Sequence, residues 1–301
     1  MTGVSVIIPT HYRNESLSRA IKSAIEQSHS PKEVIVVDDS GERFAEPVLS
    51  RLENNDIVQY HPLDENKGSQ QAREKGVELA TGEYLQFLDD DDRLISTKFD
   101  RQLEILTTSD HGVVYGGIRL PSGECILPQP TVRGEILHHA LSFDTWPCCL
   151  GTMLINADLY DEIRPVKNKG EDFRIRIECA QRTTFDYIND PVMIVGTDTE
   201  YSLGDDIWQI EGQESILEEY SELYEQFPKA RSAARGQIVT NRARNTRKNA
   251  YEEHLWSWQA VRDSFRAALA TPENRLKETA IALATLGGRP TLKLGERFFS
   301  E

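Results

Sequence analysis

A chain of 301 residues is long enough for one large α/β domain with an extension, and no apolar run in it approaches the length of a membrane span. Its net charge of −15 and sequence pI near 5.0 speak against a broad basic face for nucleic acid. Its basic residues lean to Arg over Lys; this balance suits solubility in high salt and predicts a halophilic source, the alternative being an ordinary acidic cytosolic protein.

The cysteines, Cys125, Cys148, Cys149 and Cys179, show no C-x-x-C pair and no His spacing suited to zinc. Two of them are adjacent, a poor start for a disulfide framework, so a reducing cytoplasm is expected. The first strand begins at Val4, which leaves no room for a signal peptide in this sequence.

Taken in order, Val4-Ser5-Val6-Ile7-Ile8 predicts a strand buried on both faces, stopped by Pro9-Thr10-His11-Tyr12-Arg13. Asn14 is placed to cap a helix with apolar positions Leu17, Ala20, Ile21, Ala24 and Ile25. Residues 33–37 predict a second buried strand ending in Asp38-Asp39-Ser40-Gly41, followed by a helix over 46–53 and a more exposed strand over 57–60. Asn66-Lys67-Gly68-Ser69 turns into a helix over 69–80, which Gly82 ends. The apolar run Tyr84 to Leu88 is another buried strand, closed by Asp89-Asp90-Asp91-Asp92, and a helix over 97–106 follows. This alternation argues for a parallel sheet with right-handed crossovers.

From Gly112 the pattern loosens. Strands are expected at 113–115, 152–155, 185–188 and 192–195, and helices at 135–142, from Asn156 to Ile163, and at 173–181. A loop or hairpin is expected over 121–130 and a bend at Trp146-Pro147. From Ile210 only helices are predicted: 210–227, 230–250, 255–270 and 273–286, with Pro272 in the first turn of the last. The boundary is drawn between residues 1–205 and an all-helical extension, 206–301.

The four consecutive aspartates carry the most chemistry. Neighbouring like charges raise each other's pKa, and a divalent cation removes that conflict. Hard ions such as Mg²⁺ and Mn²⁺ take carboxylate oxygens and share themselves with substrate phosphates. In an open α/β sheet, ligands lie beyond the carboxyl ends of the strands, where this cluster falls. A solvated acidic loop is the competing reading. Asp38 and Asp39 close the second strand as a ribose-binding acid would, but the first turn has no G-x-G-x-x-G, so hydride transfer is disfavoured. One carboxylate there can accept the N–H of a uracil-like base and another the ribose hydroxyls; turn or cap roles are the alternative.

Together these pieces resemble glycosyltransferase family 2, the nucleotide-sugar enzymes of GT-A fold. The resemblance rests on Val4 to Thr10, Val36-Val37-Asp38-Asp39-Ser40, Asn66-Lys67-Gly68-Ser69 with Ala72-Arg73, the run from Gly82 through Asp92, and Glu171-Asp172. It covers roughly the first two-thirds of the chain. It implies a Rossmann-like, mostly parallel α/β sheet flanked by helices, with the helical extension beyond. It also implies inverting transfer of a sugar from a nucleotide-sugar donor, a UDP-sugar, with Mn²⁺ or Mg²⁺ as cofactor. Pro9 and Thr10 would lie against the nucleotide, and Asp39 would bind the base. Lys67, Gly68 and Arg73 would flank the nucleotide, Gly68 by close backbone approach. Asp89 would face the ribose, with Asp90 beside it, while Asp91 and Asp92 would hold the metal. Asp172 would be the base that takes the acceptor's proton. On charge alone, Glu171 and Asp172 also suit a helix N-terminus.

The sequence departs from the family at Thr197-Asp198-Thr199-Glu200-Tyr201, where Arg and His commonly cover the diphosphate. Lys167, Lys169 or a C-terminal arginine would have to substitute. The expected acceptor is a glycan or lipid-linked glycan. Trp146 could stack on a sugar or fill the core. Residues 280–286 with Phe298, Phe299, Lys293 and Arg297 could touch a membrane surface, or simply pack. A nucleotidyltransferase lacks its glycine-rich phosphate loop here, and a non-catalytic nucleotide-sugar module would not need both carboxylate sets.

Overall fold

All of β1 (Val4–Thr10) is buried, a condition met by a strand covered on both faces, and its run of Val4, Val6, Ile7 and Ile8 supplies the apolar surface. The computed structural model containing it describes residues 2–52, 55–163, 169–196, 206–252, 258–270 and 281–282. They fall into two units: residues 1–140, 145–167 and 174–201 in the first, and 141–144, 168–173 and 202–301 in the second.

In the first unit α1 (Asn14–Ile25) buries Leu17, Ala20, Ile21 and Ala24, the face its periodicity predicts. Asn14 is not its cap: the helix already includes it, Arg13 holds the cap position, and the Asn14 amide donates to the Phe44 carbonyl at 3.0 Å. Next come β2 (Glu33–Asp38), α2 (Glu46–Leu49) with a 3₁₀ turn over Ser50–Leu52, β3 (Val58–Pro62), α3 (Ser69–Leu79) and β4 (Tyr84–Phe87). Then follow β5 (Arg93–Leu94), α4 (Lys98–Leu106), β6 (Val113–Arg119), β7 (Cys125–Ile126), α5 (Leu137–Leu141), β8 (Leu154–Asn156), α6 (Ala157–Ile163), α7 (Glu171–Arg182) and β9 (Phe185–Ile194).

The strand order is β3-β2-β1-β4-β8-β6-β9-β5, with β7 beside β6. The β3-β2-β1-β4 side is parallel, with Ile7 paired to both Ile35 and Phe87. β8 runs antiparallel between β4 and β6, and β6 and β9 are parallel. The expected α/β class and mostly parallel sheet are what the fold shows. The chain moves outward from β1 to β3, then returns to the far side of β1 for β4. The crevice at the carboxyl ends of β1 and β4 is therefore a topological switch point, where such sheets take ligands.

Several boundaries differ from the sequence reading. The strands expected at 185–188 and 192–195 are one strand, β9, whose register against β6 shifts twice around Gly117, opposite Pro191. β8 starts at Leu154, because Thr152 closes a turn by accepting the Cys149 N–H at 3.0 Å. α7 starts two residues before Phe173, and so includes Glu171 and Asp172. The two-residue β5 was not anticipated; it pairs with the end of β9.

The described core contains buried cations, Lys98, Arg174 and Arg176. Lys98 of α4 is 1 % exposed and donates to the Thr152 carbonyl at 2.7 Å, which also accepts from Gln102 at 2.9 Å. Burial holds its amine well below the ordinary lysine range.

The second unit is built from α8 (Asp206–Glu219), α9 (Ser221–Gln226), α10 (Pro228–Glu252) and α11 (Trp258–Ala270). The single helix expected over 210–227 breaks at Tyr220. Tyr224 is wholly buried, and its hydroxyl donates to the Leu141 carbonyl at 2.7 Å. Within the expected helix over 273–286, only the helical, buried pair Ile281 and Ala282 lies among the described residues. Residues 293–299 lie outside them. Among the described residues no helix is long and apolar enough to cross a membrane.

α3 lies close on β1 at Gly76, where a Cβ would collide with Ile7 Cγ2. Ile7 is β-branched and fully buried, so it has little room to move. Alanine gains about 1 kcal/mol in helix propensity, against roughly 1–3 kcal/mol for overpacking. Gly76→Ala should therefore lower the unfolding free energy by about 1 kcal/mol. A urea titration checks this: the midpoint falls with the slope unchanged.

Candidate active site

The end of β1, the turn after β2, the start of α3 and the turn after β4 meet around the switch-point crevice, through hydrogen bonds between residues far apart in sequence. Thr10, 3 % exposed, donates from Oγ1 to Asp90 Oδ2 at 2.7 Å. The His11 amide points at the same oxygen at 3.4 Å. Arg13 Nη1 reaches Asp90 Oδ1 at 3.0 Å and Asp91 Oδ2 at 2.9 Å. Arg73 of α3 reaches Asp89 Oδ1 at 2.6 Å. Asp92 Oδ1 accepts the Gly196 N–H at 2.8 Å, and a Cβ on Gly196 would strike the Asp91 carbonyl, so this approach requires glycine.

The four carboxylates thus have four settings. Asp89 is the exposed one and Asp90 is buried. Burial pushes Asp90 up to about 6, although Thr10 and Arg13 pull it back. Burial, then the charge of Asp89, pushes Asp92 up to about 7, although the Gly196 amide opposes this.

Asp39 also faces this region, but both of its oxygens accept backbone amides, Lys67 N–H and Gly68 N–H, each at 2.7 Å. It therefore fixes the turn into α3. Gly68, at φ +89°, supplies a conformation that L side chains rarely adopt. Asp38 is a turn-holder, accepting Ser40 N–H at 3.0 Å, Ala45 N–H at 2.8 Å and the Tyr60 hydroxyl at 2.8 Å. Pro9 is buried within β1, paired with Val37. The Lys67 ammonium lies 3.7 Å from Glu65.

The structure therefore brings Thr10, Asp39, Gly68, Arg73 and Asp89 to Asp92 to one sheet edge. Asp172 lies in the first turn of α7 and is grouped with the second unit. In that unit Gly170, at φ +88°, meets the backbone of Gly212 in α8. Lys169 pairs with Glu211 and sits 4.1 Å over the Trp208 ring. Lys167 and residues 197–201 lie outside the described residues. Trp146 is 52 % exposed, which rules out the core role, while its neighbours Thr145 and Cys148 are buried. Its loop adjoins the acidic turn, since a Cβ on Gly151 would lie 4.0 Å from Asp92 Oδ2.

Arg13 was not anticipated as a site residue. Its partners lie 77 and 78 positions away, and its only sequence signal is its place just after the first strand. Among the described residues no three Asp, Glu, His or Cys side chains form a ready ligand set. The donor chemistry nonetheless fits a hard divalent ion: carboxylate oxygens in one turn, with Asp89 reaching solvent.

A sequence model described as glycosyl transferase family 2 matches residues 5–164. TuaG of Bacillus subtilis (strain 168), named for teichuronic acid biosynthesis, is 36% identical over 118 residues, 39% of this chain and 47% of that protein. The glucosyl-dolichyl phosphate glucuronosyltransferase of Haloferax volcanii is 31% identical over 120 residues, 39% of this chain and 38% of its own. The chain thus spans less than half the length of these relatives. The S. aureus TarS 1-349 structure in complex with UDP-GlcNAc superposes with a TM-score of 0.62 at 17% identity, covering 98% of this chain and 89% of that one. This likeness extends the shared fold across the chain.

A carboxyl raised from about 4 to about 7 adds stability that is present below pH 4 and lost as pH rises through 7. Asparagine at position 92 can still accept the Gly196 N–H but carries no charge. With chelator present, Asp92→Asn should be more stable than wild type by roughly 2 kcal/mol at pH 8, a gain that fades below pH 4. Urea titrations at pH 4, 6 and 8 provide the measurement.

Proposed function

The chain belongs to glycosyl transferase family 2, and on that premise we propose that it transfers a sugar, with inversion, from a UDP-sugar to a lipid-linked glycan. The observation that carries this reading is the meeting of Thr10, Asp89 to Asp92 and Arg73 at the switch point of a parallel sheet. In this reading residues 1–205 bind the donor. Asp39 orients the turn beside the base, and Gly68 lets the backbone approach the nucleotide. Arg73 and Asp89 set the ribose side. Asp91 and Asp92 would hold Mn²⁺ or Mg²⁺, which when bound supplies positive charge against the departing diphosphate.

Asp172 is the proposed base. The acceptor hydroxyl oxygen forms a bond to the anomeric carbon as the bond from that carbon to the diphosphate oxygen breaks. The bonding pair leaves on the diphosphate, and Asp172 takes the hydroxyl proton. A single displacement from the opposite face inverts the centre. Helix α7 places Asp172 in its first turn, where its charge is also favourable against the helix dipole.

The lipid-linked acceptor is supported by the relative named for glucosyl-dolichyl phosphate. An exposed Trp146 on a loop beside Asp92 offers a ring face to a sugar. In this reading the enzyme works in the cytoplasm and meets its acceptor at the membrane surface. The cysteines, none of them in a disulfide, accord with a reducing compartment.

Calorimetry in high salt tests the donor site. UDP should bind with Mn²⁺ present and lose most of its affinity without it, with GDP and ADP weaker. Asp91→Ala and Asp92→Ala should abolish the metal dependence. Failure of every nucleoside diphosphate to bind would remove the reading. Asp172→Asn tests the base: turnover should fall on the order of 10²–10⁴-fold with UDP affinity unchanged.

A further inference from the structure

Resting on that reading, we propose that Arg13 is an exchangeable counter-ion: a divalent cation displaces it from Asp91, and its guanidinium then turns to the donor's diphosphate. One nitrogen, Nη1, makes both of its contacts, to Asp90 at 3.0 Å and Asp91 at 2.9 Å. The N–H groups on Nε and Nη2 have no partner among the described residues, so an edge of the fork is available to an anion.

The two carboxylates that it bridges are unequal. Asp90 is 7 % exposed and is also held by Thr10 and the His11 amide. Asp91 is 21 % exposed at its side chain. Asp90 is therefore the fixed pivot, and Asp91 is the more exposed of the two. A dication and a guanidinium both drawn to Asp91 repel each other at a few ångströms, and the singly charged guanidinium, which keeps Asp90, is the one that yields to the doubly charged ion. A guanidinium beside the metal would add a second positive charge against the diphosphate. Lys169 is engaged with Glu211 and the Trp208 ring, Arg73 lies on Asp89, and the Lys67 ammonium, 3.7 Å from Glu65, points into solvent beside the turn into α3. Arg13 already sits between the acidic turn and the start of α1, and releasing one carboxylate requires no unfolding.

The exchange makes opposite predictions for two ligands, whereas a purely structural role would weaken both. Mn²⁺ alone and UDP at saturating Mn²⁺ are titrated calorimetrically into wild type, Arg13→Gln and Arg13→Lys, with thermal melts confirming folded protein. Arg13→Gln should bind Mn²⁺ on the order of tenfold more tightly, because a competing charge is gone, and UDP on the order of tenfold more weakly. Arg13→Lys keeps the charge and should bind Mn²⁺ within about twofold of wild type, with UDP between the other two proteins. Unchanged or weaker Mn²⁺ binding in folded Arg13→Gln overturns the exchange, and tighter Mn²⁺ with unchanged UDP overturns the diphosphate contact. If Arg13→Gln does not fold, Arg13→Lys decides: Mn²⁺ affinity far from wild type, or UDP affinity equal to it, overturns the proposal. Wild type binding neither Mn²⁺ nor UDP would instead remove the donor-site reading beneath it.

Discussion

Four carboxylates in one turn after a buried strand must be kept apart electrostatically. At 4 Å a pair of like charges costs about 1 kcal/mol in water and about 4 kcal/mol near a protein surface. The fold meets that cost residue by residue. Asp89 goes to solvent and takes Arg73 from α3. Asp90 goes inward, where Thr10 from β1 and Arg13 from the start of α1 hold it. Asp91 shares Arg13, and Asp92 takes the backbone amide of Gly196. The strand order delivers these partners: β1 and β4 are neighbours, and the end of β9 reaches the turn because β9 continues past its irregularity at Pro191 to pair with β5.

The compensation is incomplete. Asp90 and Asp92 stand above the ordinary carboxylate range because burial outweighs the donors facing them. A turn fully neutralised by the protein would have little affinity left for a cation. One left partly unsatisfied lowers the stability of the fold, the direction expected where stability and activity trade against each other. The Glu33 carboxylate, on the same sheet, shows the opposite treatment. Burial would raise it, but Ser5, Thr81 and Gln59 surround it with donors, and the balance leaves it below its usual range.

The donor half of the fold was legible because its information is local. The apolar runs in β1, β2 and β4 are long enough to mark strands buried on both faces, and each ends in the residue types that line the crevice. Partnerships across sequence were not legible. Four adjacent aspartates suggested a cation as their remedy, whereas Arg13 and Arg73 already supply part of it from 77 and 16 positions away. Asp39 looked like a base-binding acid, and its oxygens are engaged by Lys67 and Gly68 amides, a role that depends on where the loop returns. β5 has two residues and no pattern to read. Trp146 was ambiguous because a single aromatic gives no periodicity; exposure decided it.

Asp172 poses a different constraint, because its turn is shaped by the helical extension. Gly170 needs φ +88° and leaves no room for a side chain against Gly212, so α8 sets the chain's path two residues before the acid. Lys169 is tied to Glu211 and Trp208 of the same helix, while Phe173 packs on Phe143 with ring centroids 5.0 Å apart. The residues on both sides of Asp172 are thus fixed by contacts made within the second unit. The helical extension sets the geometry of this turn, with α8 shaping the backbone before Asp172 and anchoring Lys169.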